Sequence, residues 1–371
     1  SHWFILAAKQ HAMPESRKIH IQPSWRFVDE SGQTLDPQLF ALLNGVHRDG
    51  KLTKAAEAAG ISYRHAWNLL NKWAAFFGCP LVALQKGKGA SLTNLGEKLL
   101  WASQRVNARF EPQLEGLTSE LNLAIQDALS DLRPRLRVHA AHGYAVALLP
   151  GFAQNFQLDL QYCSGEAALA ALARGNCDIA GFHVPESDMS DELIERYSKL
   201  LKPRAYKLIR FISRQQGLMV KPDRRESIQG LADVAAGGLK FINRQKGTDT
   251  RALLDELLQQ LGLSGLDVNG YENEEYTHSA VAAYVASGAA DVGFGVEHAA
   301  AQFGLDFVPL AAENYLLVCH QKTLASSACE RFLELLRSAD YLSSVNKLAG
   351  YRADHCGEVV KIEERLTWYK P

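Results

Sequence analysis

The stretch from Leu35 to Thr93 constrains the chain most, because its apolar spacing passes from helix to helix to hairpin with few residues between them. Leu39, Leu42, Leu43 and Val46 fall at i, i+3, i+4 and i+7, the stripe of one amphipathic helix over 35–47, with Pro37 suited to its first turn. After the Asp49-Gly50 turn, Thr53 can cap a short Ala-rich helix that Gly60 ends; Ile61 and Ser62 lead into a longer helix over 63–77. Two helices joined by a tight Gly-containing turn make a helix-turn-helix. Ala55, Ala56 and Ala59 permit close crossing, and Ile61, Ala66, Leu69, Leu70 and Trp73 supply an apolar face.

The opposite face carries donors. Tyr63, Arg64, His65, Asn68 and Lys72, with Thr53 and Ser62 at the helix starts, are the candidate contacts to base edges and phosphates. Next, 81–85 reads as a strand, Lys86-Gly87-Lys88-Gly89 as a turn and 90–93 as the returning strand, a wing whose Lys86 and Lys88 would lie beside the phosphate backbone. The net charge of −1 over 371 residues gives no global sign of nucleic acid, but the segment from Asp36 to Lys98 carries a local +4.

A chain of 371 residues exceeds one hydrophobic core, so a multidomain α/β protein is expected. A hydrophobic fraction of 47% with 22% charged residues is that of a globular protein, and no apolar run of about 18 residues could span a bilayer. The opening Ser-His-Trp-Phe-Ile-Leu-Ala-Ala reads as an expression remnant rather than a secretion signal, and no two of the six cysteines have C-x-x-C spacing. A cytoplasmic protein with reduced thiols, no metal site and no cofactor follows as the expectation. From Leu95 onward Leu99, Val106, Phe110, Leu114, Leu117, Leu121 and Ile125 recur at helical spacings, which suits a helix packed against a dimer mate; Pro112 predicts a kink or break.

The run G-K-L-T-K-A-A-E-A-A-G-I-S-Y-R-H-A-W-N-L-L, then K-G-K-G-A-S-L-T and L-G-E-K-L-L, resembles the DNA-binding domain of ModE-type molybdate-responsive regulators, a relative of the LysR-type domain. The resemblance implies a winged helix-turn-helix acting as a homodimer, or a tetramer, on double-stranded DNA with a palindromic operator.

Beyond Pro134 the pattern becomes short β-rich runs, at 136–140, 158–162, 177–182, 239–242, 290–294 and 307–310, alternating with helical stretches such as 166–174, 249–261 and 279–287. That order predicts doubly wound parallel sheets forming two lobes, with a cleft where strand ends and helix N-termini converge. Candidate ligand-binding residues lie at those junctions: His142 and Tyr144, Ser164, His183, then Gly247, Thr248, Asp249, Thr250 and Arg251, and finally Tyr276 and His278. Backbone N–H groups at helix starts, completed by Arg251, would suit an anion, while a helix merely capped by Thr248 with Arg251 in a surface salt bridge is the alternative. Glu272, Glu274 and Glu275 read as a solvated loop.

C-D-I-A-G-F-H, F-I-N-R-Q-K-G-T-D-T-R-A-L-L-D, G-Y-E-N-E-E-Y-T-H-S-A-V-A and S-G-A-A-D-V-G-F-G are similar to the periplasmic-binding-protein-like (type II) domain found beside ModE-type domains and fused to some molybdopterin-synthesis proteins. Where that family commonly has G-S-G-T-R, this chain has Thr248 and Asp249, an acid that would repel a bare anion unless it points away. The combined expectation is a ligand-responsive transcription regulator and not an enzyme: DNA-binding domain 20–97, dimerisation helix 98–132 and ligand-sensing domain 133–368. Its effector would be a small anion, of the molybdate or tungstate type or a formate-like carboxylate. An enzyme or accessory protein of molybdenum-cofactor metabolism is the alternative.

Overall fold

The computed structural model describes residues 18–23, 25–85, 89–128, 133–186, 189–202 and 204–369. Its first compact unit contains α1 (Pro37–Asp49), α2 (Leu52–Ala58), α3 (Tyr63–Phe77) and a hairpin of β1 (Val82–Gln85) and β2 (Gly89–Leu92). The apolar stripe read from the sequence is its core: Leu39, Leu42, Leu43 and Val46 of α1 bury against Ala55, Leu69, Leu70, Trp73 and Leu81. Gly45 of α1 lies so close to Ala55 that a Cβ there would come within 2.7 Å of the Ala55 Cα. Ser62 caps α3, accepting from the His65 N–H at 3.2 Å. Thr53 does not cap α2. Burial of Leu52 in the core starts that helix earlier, with Lys51 at the N-cap position and Thr53 exposed within the first turn. Lys86 and Lys88 of the expected wing tip lie outside the described residues.

A single helix, α4 (Asn94–Ala128), leaves this unit, its Leu100 still in the first core. Of the kink or break expected at Pro112, the break is not there; one helix of 35 residues runs through it. Proline has no N–H, so the Ala108 carbonyl one turn back lacks its intrahelical donor. The Thr277 hydroxyl supplies one instead at 2.8 Å, in a buried bond between distant parts of the chain. The expected packing against a dimer mate therefore needs restating: one side of α4 packs on the chain's own C-terminal domain, while Phe110, Leu117 and Leu121 remain exposed.

That domain has one mixed sheet, in the order β4-β3-β5-β10-β6-β9-β7-β8. In the first half, β3 (Arg135–Ala140), β4 (Gln157–Tyr162) and β5 (Ile179–Pro185) alternate with α5 (Tyr144–Phe152) and α6 (Gly165–Ala173) and pair in parallel. After α7 (Asp191–Leu200) comes β6 (Tyr206–Val220). The second half repeats the scheme: α8 (Leu231–Ala236), β7 (Phe241–Arg244), α9 (Asp249–Gln260), β8 (Glu274–Glu275), α10 (His278–Ala286) and β9 (Val292–Val296), with β7 parallel to both β8 and β9. Then follow α11 (Glu297–Gln302) and β10 (Asp306–His320). Two helices, α12 (Ser327–Arg337) and α13 (Ala339–Asn346), two short strands, β11 (Tyr351–Arg352) and β12 (Val359–Val360), and α14 (Ile362–Arg365) finish the chain against the first half.

The sheets expected to be purely parallel are thus mixed. The long strands β6 and β10, 15 residues each, run antiparallel to one another through both halves. One end of each pairs within the first lobe, where β10 meets β5; the other ends lie in the second, where β6 meets β9. Register shifts between Pro309 and Ala311 and between Tyr315 and Leu316 mark where the pair passes from lobe to lobe. Among the described residues, no helix is long and apolar enough to cross a membrane.

Candidate functional site

Two polar surfaces stand out. The first is the outer face of α3, where Tyr63, Arg64, His65 and Asn68 are all exposed. Lys72 is on this face but is engaged, donating to Asp36 at 2.9 Å beside the Trp73 ring. His65 lies 3.3 Å from the Gln38 amide oxygen. Trp67, which sequence reasoning did not single out, is 42% exposed one turn after Tyr63 and shares their face.

The second surface is the cleft between the lobes, which cross-lobe bonds close, among them that of Ser190 to Glu256 of α9 at its edge. His183 at the end of β5 meets Asp249 at the start of α9, Nδ1 to carboxylate oxygen, at 2.9 Å. Tyr144 at the start of α5 shares a 2.7 Å hydrogen bond with Ser279 of α10 and donates to Gln302 at 2.8 Å. Asp249 is therefore turned toward the opposite lobe, tight against Gly165, where a Cβ would come within 2.9 Å of its carboxylate. The helix starts α6, α9 and α10 are capped by Ser164, Thr248 and Thr277 side chains; α5, entered through Gly143, has no side-chain cap. Gly247 takes the left-handed turn (φ 82°) that brings Thr248 to its capping position.

Arg214 and Glu313 lie on the two long strands where these pass between lobes. Both are buried and paired at 2.7 Å, and Glu313 also accepts from Gln216, which donates to Thr250 as well. Burial alone would raise the Glu313 carboxyl, but Arg214 and His183 hold it below the usual carboxylate range. At the end of β7 stands Arg244, 8% exposed, donating from one terminal nitrogen to the Tyr276 carbonyl while its Nε has no partner. Burial, then the neighbouring Arg214, lowers the Arg244 guanidinium to about 10. Burial, Arg244 and Arg214 likewise push His278 well below the ordinary imidazole value, and its Nδ1 has no partner.

Of the sequence-predicted residues, Tyr144, His183, Asp249 and His278 converge on the cleft, with Ser164 and Thr250 at its helix starts. Arg251 does not join them and lines only the outer edge of the cleft. The guanidinium turns back under its own loop, donating to the Arg244 carbonyl at 3.0 Å and stacking 3.9 Å over the Tyr271 ring, because Glu274 lies on that side at 3.3 Å. The Tyr276 side chain faces outward beneath Arg109, so only its carbonyl serves the site. Sequence reading overlooked Arg214, Arg244 and Glu313, although Arg244 stands inside the motif N-R-Q-K-G-T-D-T-R. A cavity of about 270 Å³ at the cleft's outer mouth is lined by Thr248, Asp249, Arg251 and Tyr197. The larger cavity, about 1250 Å³, lies elsewhere, between residues 18–23, α4 and α5, with Leu123, Phe152, Phe156 and Leu160 among its walls.

The helix α4 grips both lobes. Glu115 accepts from the Tyr162 hydroxyl at 2.8 Å and pairs with His142 at 3.1 Å, so His142 serves this contact. On the second lobe, α4 engages Thr277 through Ala108, while Arg105 and Arg109 reach the buried Glu275 at 3.4 and 3.9 Å. The acidic run read as a solvated loop is divided: Glu272 is exposed with Lys246, Glu274 holds Arg251, and Glu275 is buried against α4. Burial and the nearby Glu115 raise the Glu111 carboxyl between the two grips, despite His142.

Comparison with known proteins bears on this domain. An uncharacterised protein of Bacillus subtilis (strain 168), YvgK, is 30% identical over 239 residues, 64% of this chain and 77% of that protein. The molybdenum-pterin-binding protein MopB of Rhodobacter capsulatus is 30% identical over 122 residues, 32% of this chain and 44% of its own length. Among solved structures CbnR, a LysR family transcriptional regulator, covers 81% of this chain and 99% of its own at 15% identity and a TM-score of 0.38, a likeness that says nothing of function. The family model of the PBP superfamily domain matches residues 148–337, more than half of the chain, and the chain belongs to that family.

Proposed function

We propose that the chain is a small-molecule-responsive, DNA-binding transcription regulator of the LysR type. Its ModE-like winged helix-turn-helix over 20–97 meets duplex DNA, the helix over 98–132 joins two copies, and the domain over 133–368 senses a small anion in the cytoplasm. One observation carries this reading: a single helix, α4, starts in the core that holds α3 and bonds both lobes of the cleft. A ligand that favours one spacing of the lobes must then favour one placement of α4, and with it of α3. The homodimer or tetramer draws support from the exposed Phe110, Leu117 and Leu121 on the outer side of α4.

Catalysis in molybdenum-cofactor metabolism is the weaker reading: among the described residues, no serine or cysteine side chain hydrogen-bonds an imidazole, as an activated nucleophile would. The relative named for binding a molybdenum pterin supports the molybdate or tungstate class of effector, and the buried guanidinium Arg244 suits a formate-like carboxylate equally well. The reading is tested by fluorescence anisotropy of the full chain on duplex DNA across a salt series. Affinity should fall steeply with salt, and Arg64→Ala should weaken it and reduce the slope of log K by about 1. Binding indifferent to both salt and Arg64 would sink the proposal.

A further inference from the structure

The charges facing the cleft can be paired off. Glu313 is committed to Arg214 and Gln216. Asp249 is bonded to His183 at 2.9 Å, and its field also reaches Arg244 although the two side chains are not in contact. Burial and the two arginines keep His278 neutral. One group is left over: among the described residues Arg244 has no carboxylate within 4 Å, its Nε has no acceptor, and it remains charged at neutral pH. A buried guanidinium with an unpartnered nitrogen and no carboxylate in contact is unfavourable.

We infer that the cleft takes a ligand with a single negative charge, a carboxylate held by Arg244 between the two lobes, rather than a tetrahedral dianion. This inference rests on reading the cleft as the ligand site. A carboxylate matches the charge of Arg244 one for one, and its planar pair of oxygens fits the guanidinium fork. The α5 start, which lacks a side-chain cap, offers backbone N–H donors on the opposite wall. His278 Nδ1 adds a neutral partner that contributes no charge. A dianion would bring a second negative charge into a site whose other buried guanidinium among the described residues, Arg214, already has Glu313 at 2.7 Å and where Asp249 lies nearby. Asp249 thus does two things: it latches the lobes through His183, and it disfavours ligands of higher charge.

The test is isothermal titration of the full chain at pH 7.5 with formate, acetate and propionate against sulfate, molybdate and tungstate, at equal ionic strength set with chloride. At least one carboxylate should bind ten-fold or more tightly than any of the dianions. Arg244→Gln should abolish that binding, Arg244→Lys should retain part of it, and Arg251→Gln should leave it within about two-fold, with circular dichroism checking that each variant folds. Molybdate, tungstate or sulfate binding as tightly as the carboxylates, with the same loss in Arg244→Gln, would overturn the charge assignment and leave the cleft as the ligand site. Carboxylate binding untouched by Arg244→Gln would overturn the role of Arg244, and no heat with either class would overturn the cleft reading as well.

Discussion

The outer face of α3 and the wall of the cleft are built from the same kinds of side chain, arginine, histidine and hydroxyl, under opposite conditions. On α3 they are in water, where ion pairs are screened and contribute little to stability. In the cleft Arg214, Arg244, His183 and His278 are buried, so each charge must be matched by a neighbour or by what binds there. The difference separates two kinds of specificity. A solvated face can meet many phosphate surfaces without being stabilised by any one of them, whereas a dry wall tolerates only ligands that complete its charge.

If that contrast holds, substitutions on the two surfaces should differ sharply in their effect on folding. Glu313→Ala should have the largest effect, a loss of about 3–5 kcal/mol in thermal or denaturant unfolding, because Arg214 is left buried and uncompensated. A loss below about 1 kcal/mol would mean that water reaches Arg214 and that the wall is not dry. Asp249→Ala should come next, about 1–3 kcal/mol, with faster hydrogen exchange at the starts of α6 and α9 as the lobes lose a latch. Unchanged exchange at both helix starts would show that the latch does not hold the cleft shut.

The His278 prediction is one of pH. Its folded value is depressed, so its contribution is fully present above the unfolded value near 6.5 and is lost as pH falls toward the folded value; in that window the unfolded chain takes up a proton that the folded chain refuses. The stability difference between wild type and His278→Gln should shift against the wild type by up to about 1.4 kcal/mol per pH unit below that point and stay flat above about pH 7. Parallel pH curves for the two proteins would place His278 in contact with solvent. Smallest of all should be Arg64→Ala, whose unfolding midpoint should move by no more than about 0.5 kcal/mol even as DNA binding falls.

The same division explains what could be read beforehand. The three helices and the hairpin were legible because each has one buried and one wet face, so its period shows in the sequence; Leu39, Leu42, Leu43 and Val46 are all buried where the pattern places them. The strand β6 was not. Tyr206–Val220 is covered on both faces, and Arg214 and Gln216 interrupt its apolar run just where it passes between lobes, so neither alternation nor an unbroken apolar block marks it. Arg244 was overlooked for a related reason: a charge at the end of a buried strand reads as the edge of the strand. Arg251 looked the better anion ligand because it follows a capped helix start, but Tyr271 and Glu274, twenty or so residues further along, draw it to the other side. Asp249 was recognised as the residue out of place, but not the cross-lobe partner that explains it.

Pro112 gives α4 an anchor within its own span rather than at an end. The free Ala108 carbonyl pins the helix to Thr277 at a point 14 residues from its first residue, Asn94, an arm of about 21 Å at 1.5 Å per residue. A tilt of about 10° about that pin would carry the far end through about 3.6 Å, close to the 3.4 Å rise of one base pair. In the regulator proposed above, a tilt of the lobe that carries Thr277, which also holds Lys98 near that far end, would be passed to α3 as a shift of about one base-pair step.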